Sequence, residues 1–145
     1  MTTISEVMTR DVEVIGPEES LQRAAQMMDE LNVGSLPVCE GKRLVGMITD
    51  RDITVRATAA GLDPAETLVG DVMTESTRCC TEAQSTEQVM EQMGHSQIRR
   101  VPVVDDDGAV IGIVSLGDLA TRQDGHIDQA LRDISSPSEP DRSIA

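Results

Sequence analysis

Gly46-Met47-Ile48-Thr49-Asp50-Arg51-Asp52 and Gly112-Ile113-Val114-Ser115-Leu116-Gly117-Asp118 share one pattern: a glycine, two apolar residues, a hydroxyl, two variable positions and an aspartate. The second stretch lies 66 residues after the first. Upstream, the match continues at a shift of 65. Val7-Met8-Thr9 returns as Val72-Met73-Thr74, Ser20 as Ser85, Met28 as Met93, and Pro37-Val38 as Pro102-Val103. The extra residue falls between Glu40-Gly41-Lys42 and Asp105-Asp106-Asp107-Gly108, both of which read as turns. An insertion confined to a turn, with the pattern kept on either side, argues for structural duplication.

Outward from these stretches, each copy predicts β-α-β-β-α. A short extended run, Asp11–Ile15 or Thr77–Cys80, precedes a helix. In the first copy Leu21, Ala24, Ala25, Met28 and Leu31 fall on one helical face, and Gln22, Arg23, Gln26, Asp29 and Glu30 fill much of the other. Val89, Met90 and Met93 take the buried role in the second copy. Two hairpins follow, Leu36–Cys39 with Arg43–Ile48 and Val101–Val104 with Ala109–Val114. Each leads into a second helix, Asp50–Ala60 or Leu116–Arg122. The expected fold class is mixed α/β (α+β), with repeats over residues 4–62 and 68–123 and a linker around Gly61–Val69. A half of roughly 60 residues buries little surface alone, so the two copies are expected to share a core, sheet against sheet. Residues 124–145 read as an extension, with a short helix over His126–Ile134 and a frayed tail after it.

Composition narrows the partners. A net charge of −14 repels nucleic-acid phosphates and anionic membranes. The chain has no Phe, Tyr or Trp, so it has no platform on which single-stranded nucleic acid could stack, and its core must be filled by aliphatic residues and Met. No apolar run approaches the ~18–20 residues that span a bilayer. Met1–Met8 carries Glu6 and lacks a basic start and an apolar run, so the cytoplasm is the expected location. Cys39, Cys79 and Cys80 have no metal-ligand spacing, and neither a metal site nor a disulfide framework is expected. His95 and His126 stand apart from any Ser or Cys in a triad-like arrangement, so the chain is not expected to be an enzyme.

The duplicated Val-Met-Thr openings, the strands Leu36-Pro37-Val38 and Val101-Pro102-Val103, and the two Gly-x-x-Thr/Ser-x-x-Asp stretches resemble the cystathionine-β-synthase-type (CBS) domain pair, over residues 4 to 122. That resemblance implies a pseudo-twofold pair of repeats, usually a homodimer, with clefts that hold AMP, ADP, ATP or a related adenosyl ligand. It implies a ligand sensor that needs no cofactor and acts through another protein. A ligand-free interaction or stress-associated scaffold is the alternative. Within the family the Ser/Thr of the motif serves phosphate and the Asp serves ribose, which here means Thr49 and Ser115, and Asp52 and Asp118.

The residues themselves leave two readings of this corner open. In one, Thr49 caps the helix and Asp52 reaches back to it, a capping box that needs no ligand. In the other, the helix start and the Thr49 hydroxyl meet a phosphate, the Asp52 carboxylate accepts from a ribose diol, and Gly46 lets backbone approach the ligand. Ser115, Asp118 and Gly112 repeat the set. Phosphate charge would be met by Arg51 in the first copy and by His95, Arg99 and Arg100 in the second. Arg56 is expected to pair with surface carboxylates instead. The first copy is the better equipped, with Thr49 beside Arg51. An apolar adenine slot would draw on Val12, Val14, Leu36 and Val38, or on Val101 and Val103, all of which could equally be core.

Overall fold

The computed structural model describes residues 2–75, 78–96 and 98–122. The expected extension over 124–145 and Thr77 of the second extended run lie outside the described residues.

Each repeat is organised by its hairpin. In the first, β2 (Ser35–Glu40) pairs antiparallel with β3 (Arg43–Thr49), and Glu40 faces Arg43 across a two-residue turn. Gly41 stands in that turn at φ +62°, where a side chain would be strained. In the second, β4 (Arg100–Val104) pairs with β5 (Val110–Ser115) across a turn longer by one residue, with Gly108 at φ +82°. The register slips at Val38/Cys39 and again at Val103/Val104, so even the bulge is duplicated. The helices α2 (Leu21–Leu31) and α5 (Thr86–Ser96) start at equivalent serines. Ser20 Oγ accepts from the Arg23 N–H at 3.1 Å, and Ser85 Oγ accepts from the Gln88 N–H at 3.2 Å.

Among the described residues of the extended runs ahead of these helices, only Ile15 and Cys80 bridge, each in parallel to the neighbouring hairpin at Val38 and Val103. Asp11 sits at φ +57°, which breaks any extended run through it. The helix expected over Asp50–Ala60 is one α-helical turn, α3 (Asp50–Asp52), that runs into a π-helical segment, Ile53–Thr58. β-branched Ile53, Thr54, Val55 and Thr58 crowd an ordinary helical turn, and here the Ala59 N–H reaches the Thr54 carbonyl five residues back, at 3.0 Å. Its counterpart α6 (Leu116–Arg122) is a plain α-helix.

The packing units are offset from the sequence repeats. The opening segment of each repeat belongs to the core of the other. Ile4 and Val7 of α1 (Ile4–Val7), together with Met8, are buried with Val89, Met93, Val101, Val114 and Leu119. Val69 and Val72 of α4 (Val69–Val72) are buried with Leu21, Met28, Leu36 and Ile48. The backbone repeats the exchange. β1 (Thr9–Arg10) pairs with Ile113 and Gly112, and Thr74 exchanges both backbone hydrogen bonds with Met47 at 2.9 Å. The two hairpin turns also meet, through Leu44 N–H to the Gly108 carbonyl at 3.1 Å and Val110 N–H to the Lys42 carbonyl at 3.0 Å. The halves therefore cannot separate without opening both cores.

Candidate functional site

The two strand-to-helix corners form as capping boxes. At the first, the Asp52 N–H donates to Thr49 Oγ1 at 3.0 Å and the Thr49 N–H to Asp52 Oδ2 at 3.1 Å. At the second, the Asp118 N–H donates to Ser115 Oγ at 3.1 Å and the Ser115 N–H to Asp118 Oδ2 at 2.9 Å. The backbone before each corner is tied the same way, Asp50 N–H to the Gly34 carbonyl at 2.9 Å and Leu116 N–H to the Arg99 carbonyl at 2.8 Å.

Gly46 and Gly112 have a role other than the expected one. A Cβ on Gly46 would stand 2.7 Å from the Thr74 carbonyl oxygen, and one on Gly112 would stand 2.6 Å from that of Thr9. Each glycine admits the exchanged opening segment of the other repeat, so the close approach is to protein backbone and not to a ligand.

Beyond the shared box the corners differ. Asp52 is only 7% exposed, and its second oxygen, Oδ1, accepts from the Thr74 hydroxyl at 3.4 Å and lies 3.8 Å from Arg56 Nε. Arg56 Nη1 in turn donates to the carbonyls of Val72 and Met73 at 3.4 Å. Arg56, its side chain 52% exposed, thus leans on a buried aspartate and two helix-end carbonyls rather than on a surface carboxylate. Arg51 is exposed on the outward side and, with Asp50, Thr54 and Val55, lines an open depression of about 290 Å³. Asp118 is half-buried. Arg100 lies opposite Ser115 in the ladder, and Arg99 precedes it, both exposed. His95 is exposed in the last turn of α5, a connection away from this corner.

The adenine residues divide by burial. Leu36 is 2% exposed, and Val38, Val101 and Val103 are 0% exposed, packed within the two cores. Hydrophobic packing against α2 and α5 consumes these four side chains, so they are corrected to core residues. Val12 and Val14 remain half-buried and reachable. Ser35, opposite Thr49 in the ladder, was not singled out by sequence, yet its buried Oγ has no hydrogen-bond partner.

Cys39 and Cys80 are buried thiols and Cys79 is half-buried. Burial raises the Cys39 pKa, and burial with the neighbouring Cys79 pushes the Cys80 pKa up to about 12. Both stay protonated and unreactive at neutral pH. Among the described residues no group of three His, Cys, Asp or Glu side chains could hold a metal ion, and no helix is long and apolar enough to cross a membrane.

Comparison with known proteins places this geometry among relatives. The CBS domain family matches residues 4–57 and 69–125. The CBS domain-containing protein YhcV of Bacillus subtilis is 42% identical over 123 residues, which are 85% of this chain and 86% of that protein. Hypoxic response protein 1 of Mycobacterium tuberculosis is 38% identical over 139 residues, 94% of this chain and 96% of that protein. A crystal structure of hypoxic response protein I, with two coordinated zinc ions, superposes with a TM-score of 0.78 at 36% identity, covering 84% of this chain and 99% of that one. CBSX2 in complex with AMP superposes with a TM-score of 0.72 at 27% identity, covering 83% and 95%.

Proposed function

The chain belongs to the CBS-domain family, and from that premise we propose that it is a non-catalytic regulatory module that binds an adenosine nucleotide, of the AMP, ADP or ATP type, at a strand-to-helix corner. The observation that carries the reading is the corner itself, built twice with a hydroxyl and a carboxylate three residues apart, with paired arginines beside the second copy. A similar fold holds AMP in CBSX2. The Ser115 hydroxyl and the forked guanidinium groups of Arg99 and Arg100 suit phosphate oxygens. A carboxylate at the motif suits the ribose hydroxyls, and half-buried Val12 and Val14 offer an apolar edge for a base in the first copy.

Binding is read out as a change in assembly or partner contact, because a ligand shifts only an equilibrium whose two states it binds unequally. Self-association into a homodimer would cover Leu31 of α2 and Val55 of the π-helical segment, which are 42% and 48% exposed. No chemistry at a nucleophile or metal is involved, and the module works in the cytoplasm.

The test uses the chain's lack of Trp, Tyr and Phe. Its own near-ultraviolet absorbance is minimal, so a 260 nm band in purified protein reports carried-over nucleotide, identified by chromatography after heat release. Calorimetric titration with AMP, ADP and ATP follows. A band or a saturable heat supports the reading. Absence of both leaves a ligand-free interaction scaffold as the function.

A further inference from the structure

We propose that Met73 is a reversible oxidation site: a hydroperoxide converts its thioether to the sulfoxide, and the change loosens the opening segment of the second repeat from the core of the first. The proposal stands apart from the nucleotide reading and needs no ligand at either corner.

Exposed sulfur singles out one seam. Among the methionines of the described residues, Met8, Met27, Met28, Met90 and Met93 are buried, and only Met47 and Met73 are half-buried. Those two are far apart in the chain, yet they meet where Thr74 exchanges backbone hydrogen bonds with Met47 at 2.9 Å. Met73 directly precedes Thr74, and its Sδ sits 2.8 Å from where a Cβ on Gly46 would stand. The thioether fills the notch that this glycine leaves and packs against the first core. The other seam is built alike but shielded. Met8 Sδ stands 3.2 Å from where a Cβ on Gly112 would be, yet Met8 is 7% exposed, and Ile113 takes the position of Met47. An oxidant therefore reaches methionine sulfur at one exchange and not at the other.

The step balances with the hydroperoxide alone. A lone pair on Met73 Sδ attacks one oxygen of hydrogen peroxide, the O–O bond breaks, and the other oxygen leaves as water. Sulfur gives up two electrons and keeps the new oxygen. A sulfoxide is polar, and burying it in an apolar notch without a donor is unfavourable. Turning the new oxygen to water withdraws the side chain from Gly46. The polar ties that remain on this segment are long: Arg56 Nη1 to the carbonyls of Val72 and Met73, and the Thr74 hydroxyl to Asp52 Oδ1, all at 3.4 Å. They do not replace the lost packing. Val69 and Val72 stay buried, so the segment loosens while the fold survives.

The experiment treats the full chain with hydrogen peroxide, in a Cys79→Ser background so that the half-buried thiol does not consume the reagent. Peptide mass spectrometry follows the gain of one oxygen at each methionine. Thermal unfolding is measured before oxidation, after it, and after repair by methionine sulfoxide reductases. Met73 and Met47 should oxidise at least about tenfold faster than Met8, because susceptibility follows exposure. The unfolding temperature should fall by about 3–6 °C and recover on repair. Met73→Leu, which keeps an apolar side chain of similar volume, should lose less than about half as much on treatment. Met8 oxidising as fast as Met73 overturns the one-sided exposure. A complete Met73 sulfoxide with an unchanged unfolding temperature, or a fall that repair does not reverse, overturns the loosening. An equal fall in Met73→Leu moves the effect away from Met73 and overturns the assignment. The rate comparison and the repair decide the proposal even if leucine does not fit over Gly46.

Discussion

Around Thr49 the neighbouring positions are Gly34, Ser35 and Asp50, and around Ser115 they are Arg99, Arg100 and Leu116. The backbones at these corners agree closely: the same capping box, the same hydrogen bond from helix start to preceding loop, the same bulge in the hairpin and the same glycine contact with the other repeat. The side chains that decide what a corner attracts do not agree. Duplication has preserved the backbone geometry of each corner while the positions flanking it have diverged. The motif that both repeats share therefore describes the scaffold.

The largest expected effect tests the preserved part. Gly46→Ala and Gly112→Ala each push a methyl carbon against a backbone carbonyl oxygen, at 2.7 and 2.6 Å. A backbone atom in a paired segment cannot step aside as a flexible side chain can. Each substitution should destabilise by about 3 kcal/mol, the upper range for overpacking. Chemical denaturation of the two variants checks this, and the losses should match within about 1 kcal/mol. If one glycine tolerates alanine, the exchange of opening segments is not reciprocal and the comparison between corners loses its frame.

Much of this was legible in the sequence. The shift of 65, then 66, located both hairpins, both capped helices and the turn with the extra residue, because hydrophobic period and turn glycines are local signals. The corner's hydroxyl and carboxylate were also visible. The exchange was not: Val7-Met8-Thr9 and Val72-Met73-Thr74 mark the start of each repeat, and nothing local says that each packs into the other repeat's core. Nor could the sequence show that Thr74, 22 residues further on, reaches the second oxygen of Asp52. Leu36, Val38, Val101 and Val103 passed as slot residues because alternation alone cannot separate a pocket wall from a core.

A smaller effect compares the thiols of the two halves. Cys80 lies in the core of the second half with its pKa pushed up to about 12, and Cys39 in the first half is raised as well. A raised folded-state pKa means that the fold keeps its proton while the unfolded chain ionises above its ordinary value near 9. The stabilisation is therefore intact below pH 9 and declines above it, through the folded pKa. Each thiol should contribute a loss of about 1.4 kcal/mol per pH unit while the unfolded thiol is ionised and the folded one is not. Denaturation between pH 8 and 10.5 should show the decline, and Cys80→Ala should flatten it more than Cys39→Ala does. Equal flattening would mean that the two halves shield their thiols alike.

The smallest effect concerns what holds the exchanged opening segment in place. Arg10 Nη2 lies 3.2 Å from Glu82 Oε1, joining β1 to the loop before α5, and the equivalent positions in the other half are Glu75 and Pro17, which cannot form such a pair. If that ion pair held the segment, the second half would be fastened in a way the first is not. The side chains are 53% and 46% exposed, however, so solvent and salt screen the attraction and the net worth is under about 0.5 kcal/mol. Ile4, Val7 and Met8, at 0%, 2% and 7% exposure, make the attachment instead, as Val69 and Val72 do at 0% and 2% in the first half. Arg10→Ala should therefore leave the denaturation midpoint nearly unchanged in low and in moderate salt. A loss above about 1 kcal/mol, shrinking as salt is added, would show that charge rather than apolar burial secures one of the two exchanges.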